Sequence, residues 1–299
     1  MARWDANQQE NIPDWFWEAI GHKSTRHQVE FDECDVNYRE WGATTGDPLL
    51  FLHGMYGHSG WWDFIAPSFL NQYRPVAMDL TGMGDSDYRW EYDSFTYASE
   101  IKAVCDDANL SKDVILVAHS FGGRMAVKAC ALYPDRFKAL VLVDSGIHSP
   151  DEEIPDYPPL GGGRAKTYPS REAAESRFRL YPPQPCTNQY LLDYIAKNSL
   201  MPVDGGFAWK YDEDLASSLT DVESDPDDFR SLNLPVSIIY GADSLSFTKE
   251  TLEYTMSLLP NVVSVRRIED AEHHVFLDQP LEFTETLLSV LAELKVVAS

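Results

Sequence analysis

The sequence predicts an α/β protein, a mainly parallel β-sheet flanked by helices and interrupted by an inserted, largely helical cap. Three observations predict it. Short continuous apolar runs recur along the chain, as strands covered on both faces require. Helical patterns stand between those runs, and that alternation is the mark of a parallel sheet. One segment, 146–231, breaks the rhythm and is too long for a plain loop.

The elements follow in chain order. Residues 1–27 read as an N-terminal extension. Val29 to Tyr38 alternates and carries acids, which predicts an antiparallel hairpin at the sheet edge. Buried strands are expected at Leu49–Leu52, Pro75–Met78, Val114–Ala118, Leu140–Val143 and Val236–Tyr240, with a last strand at Val262–Ile268. Helices are expected at Phe95–Asn109 and at Phe121–Tyr133, where Pro134 ends the run. A further helix spans Thr248–Leu259 and stops at Pro260. The final one starts near Pro280, which suits a first turn, with Phe283, Leu287, Leu291 and Leu294 on one face. The core is therefore 1–145 plus 232–299, and the cap is 146–231. Within the cap, Gly161–Gly163 and the prolines around Tyr157 read as loop, while Arg171–Leu180 and Gln189–Leu200 read as helices.

Composition narrows the function. The chain has 299 residues, with 48 acidic and 24 basic side chains and a net charge of −24. Such a surface repels phosphate, so nucleic acid and anionic lipid are not expected partners. The cap carries 16 acidic and 8 basic residues, a third of that net charge, so the acidity is spread over the molecule rather than focused at one entrance. No apolar stretch is long enough for a membrane span, and the first ten residues lack the apolar core of a secretory signal. The four cysteines (Cys34, Cys105, Cys130, Cys186) show neither C-x-x-C nor metal spacing, so they read as reduced thiols of a cytoplasmic protein. No metal and no cofactor is expected.

The chemistry centres on Val117-Ala118-His119-Ser120-Phe121-Gly122-Gly123. A buried strand ends at His119 and a helix begins past Ser120. A serine presented on so tight a turn needs small residues two positions either side, and Ala118 and Gly122 supply them. The helix start offers N–H groups to developing negative charge. A serine nucleophile needs a base, and Asp270-Ala-Glu-His273-His274 follows the last strand. Either histidine suits the role. The base in turn needs a carboxylate; Asp243 and Asp144 both stand at the carboxyl end of a strand, where ligand and catalytic groups gather in open α/β sheets. His53-Gly54-Met55-Tyr56-Gly57 also follows a strand, so Met55 and Phe121 N–H are the expected oxyanion-hole donors. This loop lacks the G-x-G-x-x-G spacing and the lysine of a nucleotide site.

These motifs together resemble the α/β-hydrolase superfamily, in its cap-bearing branch of esterases, C–C bond hydrolases, epoxide hydrolases and haloalkane dehalogenases. The resemblance runs from about Val29 to Leu294. It rests on His53-Gly54, the Asp79-Leu-Thr-Gly82-Met-Gly84-Asp-Ser86 turn, the Ser120 elbow, and the pair Asp243 and His273. The resemblance implies that the Asp79 turn is structural. It also implies His273 as base, five residues before Asp278 and seven before Pro280, and Asp243 as the acid. Two positions depart from the pattern. Ala118 replaces the first elbow glycine, and Glu272 replaces the glycine before the histidine, where its carboxylate either faces the site or faces solvent.

The residue at 120 implies the reaction class. The dehalogenases and epoxide hydrolases of this branch use aspartate there, and the C–C hydrolases resemble one another in a tryptophan after the histidine, where this chain has His274. The expectation is a serine hydrolase acting on a small-molecule carboxylic ester or lactone with an apolar or aromatic part. A C–C hydrolase and a small-molecule receptor retaining the triad are the alternatives. A homodimer is left open, and no substrate-binding residue is singled out. The cap aromatics (Tyr157, Tyr168, Phe178, Tyr181, Tyr190, Tyr194, Phe207, Trp209, Tyr211) and Trp61 and Trp62 suit either pocket lining or core.

Overall fold

A computed structural model describes residues 12–42, 44–153, 155, 157–160 and 166–297. The readings drawn from residues 1–10 and from Gly161–Gly163 lie outside the described residues. The edge hairpin is formed by β1 (Ser24–Phe31) and β2 (Cys34–Trp41). Its two-residue turn has Asp32 and Glu33 both at positive φ, +50° and +61°, the twist that matches flanking strands.

The remaining sheet strands are β3 (Asp47–Leu52), β4 (Tyr73–Met78), β5 (Val114–His119), β6 (Phe137–Val143), β9 (Val236–Gly241) and β10 (Val262–Ile268). Their spatial order is β1-β2-β4-β3-β5-β6-β9-β10, and every pair from β4 to β10 is parallel. Leu50, Leu52, Leu116, Leu140 and Leu142 point into one apolar layer, while Phe51, Val117, Val141 and Val143 point into the other. Both sheet faces are thus covered, which is why these strands read as unbroken apolar runs. Among the described residues no helix is long and apolar enough to cross a membrane.

Between β6 and β9 the chain leaves the sheet. This excursion holds short helices at Arg171–Glu175, Gln189–Asn198, Leu215–Ser218 and Pro226–Ser231. It also holds a small hairpin, β7 (Leu200–Val203) with β8 (Gly206–Trp209), absent from the sequence-based expectation. The helix expected over Arg171–Leu180 ends at Glu175, ahead of the Tyr181-Pro182-Pro183 stretch that cannot continue it. The N-terminal extension contains a helix, Asp14–Gly21, that docks on both the sheet core and the excursion. Phe16 is fully buried there, with ring centroids 6.3 Å from Phe64 of the core and 5.2 and 5.5 Å from Tyr190 and Tyr194 of the excursion.

Candidate active site

Ser120 closes β5 and opens the helix Phe121–Leu132, with φ +52° and ψ −121°. That conformation strains any L-residue, and the surroundings over-determine it. The Ser120 N–H donates to the Val143 carbonyl (3.1 Å), and its own carbonyl accepts from Ser145 Oγ (2.7 Å). A Cβ on Gly122 would collide with the His53 carbonyl, and one on Gly123 with the Ser145 side chain. Close backbone approach therefore explains the two glycines after the serine. Ala118 is fully buried, and its methyl fits where the resemblance had glycine.

His273 follows β10 and is buried. Its Nε2 lies 2.8 Å from Ser120 Oγ, and its Nδ1 lies 2.7 Å from Asp144 Oδ1. A carboxylate only accepts, so Nδ1 carries the hydrogen and Nε2 is left free to accept from the serine hydroxyl. The expectation of Asp243 is corrected here. Asp144, at the end of β6, is buried and its φ of +45° turns the carboxylate inward. Its Oδ2 accepts from the Gly241 N–H (2.9 Å), and Oδ1 accepts from Ser244 Oγ (2.7 Å) as well as from His273. Asp243 is exposed instead, and only its backbone N–H reaches the histidine loop, donating to Ala271. Neutral partners on β9 and its following turn thus hold Asp144, while Asp243 occupies the outside of that turn.

The other expected residues fall as follows. Met55 and Phe121 flank Ser120, and among the described residues neither N–H group has a protein acceptor. A Cβ on Gly54 would lie 2.8 Å from the His119 ring and 3.1 Å from Ser120 Cβ, so any larger residue would push the Met55 loop off the serine. His274 is buried against Trp61 and His119, and burial holds its ring pKa well below the ordinary histidine range. Among the described residues Glu272 makes no hydrogen bond or ion pair to His273, and burial together with the Asp243 charge raises its carboxyl pKa. The Asp79 turn is a scaffold. Its carboxylate accepts from the Ser59 and Asp85 N–H groups and Asn37 Nδ2, and Ser86 Oγ donates to the Asp79 carbonyl.

One cavity opens at the serine and a second lies beside it. A cleft of about 530 Å³ is lined by Ser120, His273, Arg124, His148, Tyr157 and Glu223, among others. A smaller cavity of about 220 Å³ lies on the Met55 side, walled by Tyr56, Trp61, Phe178, Trp209 and Tyr211. Tyr181 borders both.

A family model described as the alpha/beta hydrolase fold matches residues 47–170, the stretch from β3 through the elbow and into the excursion. A thioesterase domain from the curacin biosynthetic pathway superposes with a TM-score of 0.73, at 21% identity over 89% of this chain and 99% of that one. The chain has the α/β-hydrolase fold. Among curated relatives of this hydrolase-fold chain, a "serine hydrolase-like protein" of Danio rerio is 28% identical over 188 residues. That match covers 58% of this chain and just 57% of the relative. A 2-(acetamidomethylene)succinate hydrolase of Mesorhizobium japonicum is 26% identical over 253 residues, covering 83% of this chain and 88% of the relative.

The structure also sorts the ambiguous aromatics of this hydrolase fold. Tyr190, Tyr194 and Trp62 pack in the interior, while Tyr157, Tyr168, Phe178, Tyr181, Trp209, Tyr211 and Trp61 line the cavities. Sequence reasoning missed Gln184, which bonds the histidine loop, and Arg124. The signal for Arg124 was its place four residues after the serine, on the same helix face.

Proposed function

We propose that this chain is a serine hydrolase that cleaves carboxylic esters, or lactones, through an acyl-enzyme on Ser120. The observation that carries it is the unbroken hydrogen-bonded line from Ser120 Oγ through both nitrogens of His273 to Asp144. In this reading Ser120 Oγ attacks the substrate carbonyl as its proton passes to His273 Nε2. Asp144 stabilises the resulting imidazolium. The Met55 and Phe121 N–H groups receive the oxyanion of the tetrahedral intermediate. The intermediate collapses as His273 returns the proton to the departing alkoxide oxygen, leaving the acyl group on Ser120. Water then attacks that ester with His273 as base, and collapse frees the acid and regenerates the serine. The apolar part of the substrate belongs in the aromatic cavity beside Met55.

The test is a pair of measurements on the same preparation. A fluorophosphonate should label the wild type and not Ser120→Ala, and 4-nitrophenyl esters should be turned over by the wild type alone. Labelling at Ser120 without turnover of any ester or lactone in a broad panel would overturn the hydrolase reading.

A further inference from the structure

We infer that Arg124 is a specificity residue that receives a substrate carboxylate in the cleft beside Ser120, so the preferred ester is an acidic one. The inference rests on the reading of this cleft as the acyl-transfer site and deepens it.

Arg124 sits one helical turn beyond Ser120 and lines the same cleft as Ser120 and His273. Its guanidinium lies over the Phe121 ring, 5.4 Å from the centroid. Four other solvent-shielded arginines hold carboxylates. Arg39 pairs with Asp63 at 3.0 Å, Arg74 with Glu40 at 2.8 Å, Arg89 with Glu100 at 2.9 Å and Arg136 with Asp106 at 3.2 Å. Among the described residues Arg124 has no ion-pair partner, although the cleft also contains Glu223, which is exposed. A half-buried guanidinium whose countercharge is the exposed Glu223 gains from a ligand that brings a carboxylate into the cleft itself. Burial accordingly lowers its pKa from the ordinary arginine value.

The charge of the whole chain sharpens this. A net charge of −24 repels an anionic substrate, so recognition of one requires a local cation at the site itself. Lys166, Arg177 and Arg179 border the other cavity, but all three are exposed and screened. A planar guanidinium offers two parallel N–H bonds to a carboxylate.

Two isosteric substrate pairs test this and locate the acid. One pair is the 4-nitrophenyl monoester of glutaric acid against the 4-nitrophenyl ester of glutaramic acid. The other is 4-carboxyphenyl acetate against 4-carbamoylphenyl acetate. In the wild type, kcat/KM should favour the acidic member of at least one pair by roughly 10- to 100-fold, the weight of a charge-assisted hydrogen bond. Arg124→Ala and Arg124→Gln should bring that ratio to about 1, and Arg124→Lys should restore part of it. Lys112→Ala, an exposed charge ahead of β5 at the end of the strand opposite Ser120, should leave it unchanged. A wild-type ratio near 1 in both pairs, or a ratio that survives Arg124→Gln, overturns the inference. Should no ester of either pair be turned over, the hydrolase reading fails and melting temperature decides the carboxylate site separately. Glutarate should raise Tm in the wild type and not in Arg124→Gln, with glutaramide inert in both. No glutarate-dependent shift in the wild type, or an equal shift in the variant, overturns it.

Discussion

Gln184 Oε1 accepts from the backbone N–H of His274 at 2.8 Å, so a residue of the excursion grips the loop that carries His273. The same oxygen lies 2.7 Å from His274 Nδ1, and Gln184 Nε2 donates to Asp278 Oδ2 at 2.8 Å. Asn188 Nδ2 adds bonds to the Leu277 and Asp278 carbonyls. The excursion is therefore fastened to the very segment whose register places His273 against Ser120. Gln184→Ala should leave buried donors unpaired and cost about 1–3 kcal/mol in urea denaturation. It should also lower kcat about tenfold by loosening His273, while Gln189→Ala, an exposed change on the adjoining helix, should do neither.

The acid assignment separates cleanly by mutation. Asp144→Asn removes the charge that faces the imidazolium and lets the amide compete for the wrong tautomer of His273. It should lower kcat by about 10³- to 10⁴-fold with folding retained. Asp243→Asn, on an exposed side chain, should stay within about twofold of wild type. Steady-state rates on a 4-nitrophenyl ester, with circular dichroism for folding, compare the two.

The elbow makes opposite demands on its two sides. Gly122→Ala drives a methyl into the His53 carbonyl and should cost upward of about 2 kcal/mol, with activity falling because the oxyanion loop is displaced. Ala118→Gly removes a methyl from a strand and should cost only about 1 kcal/mol, with activity retained. Thermal melts and kcat on the two variants check the asymmetry.

Asp278 supplies a pH dependence. Burial raises its carboxyl pKa to about 6, only partly offset by the Glu272 N–H and Gln184 bonds. A folded-state value above the unfolded one means that the folded protein holds this proton more tightly. The carboxylate's ionisation therefore costs stability as pH rises from about 4 through about 6. Asp278→Asn keeps an acceptor for both bonds and should stabilise the protein by about 2 kcal/mol at pH 8. The gain should vanish near pH 4, as read by urea denaturation at the two values.

The sequence alone specifies the strand and helix alternation, because apolar runs and helix stops are local signals. It also specifies the strained turn at Ser120, because the close approach of His53 and Ser145 admits only small neighbours there. The pair of His53-Gly54 with the elbow was legible for the same reason. Which acid meets His273 follows instead from packing between distant segments. Asp144 and Asp243 both follow strands and both precede the histidine, so chain order treats them alike. The choice depends on the φ of +45° at Asp144 and on the packing of the Gly241–Ser244 turn against Ala271, which together turn one carboxylate inward and the other to solvent. The grip of Gln184 and the place of Arg124 in the serine cleft were hidden in the same way. Each depends on segments far apart in the chain, and no periodicity records it.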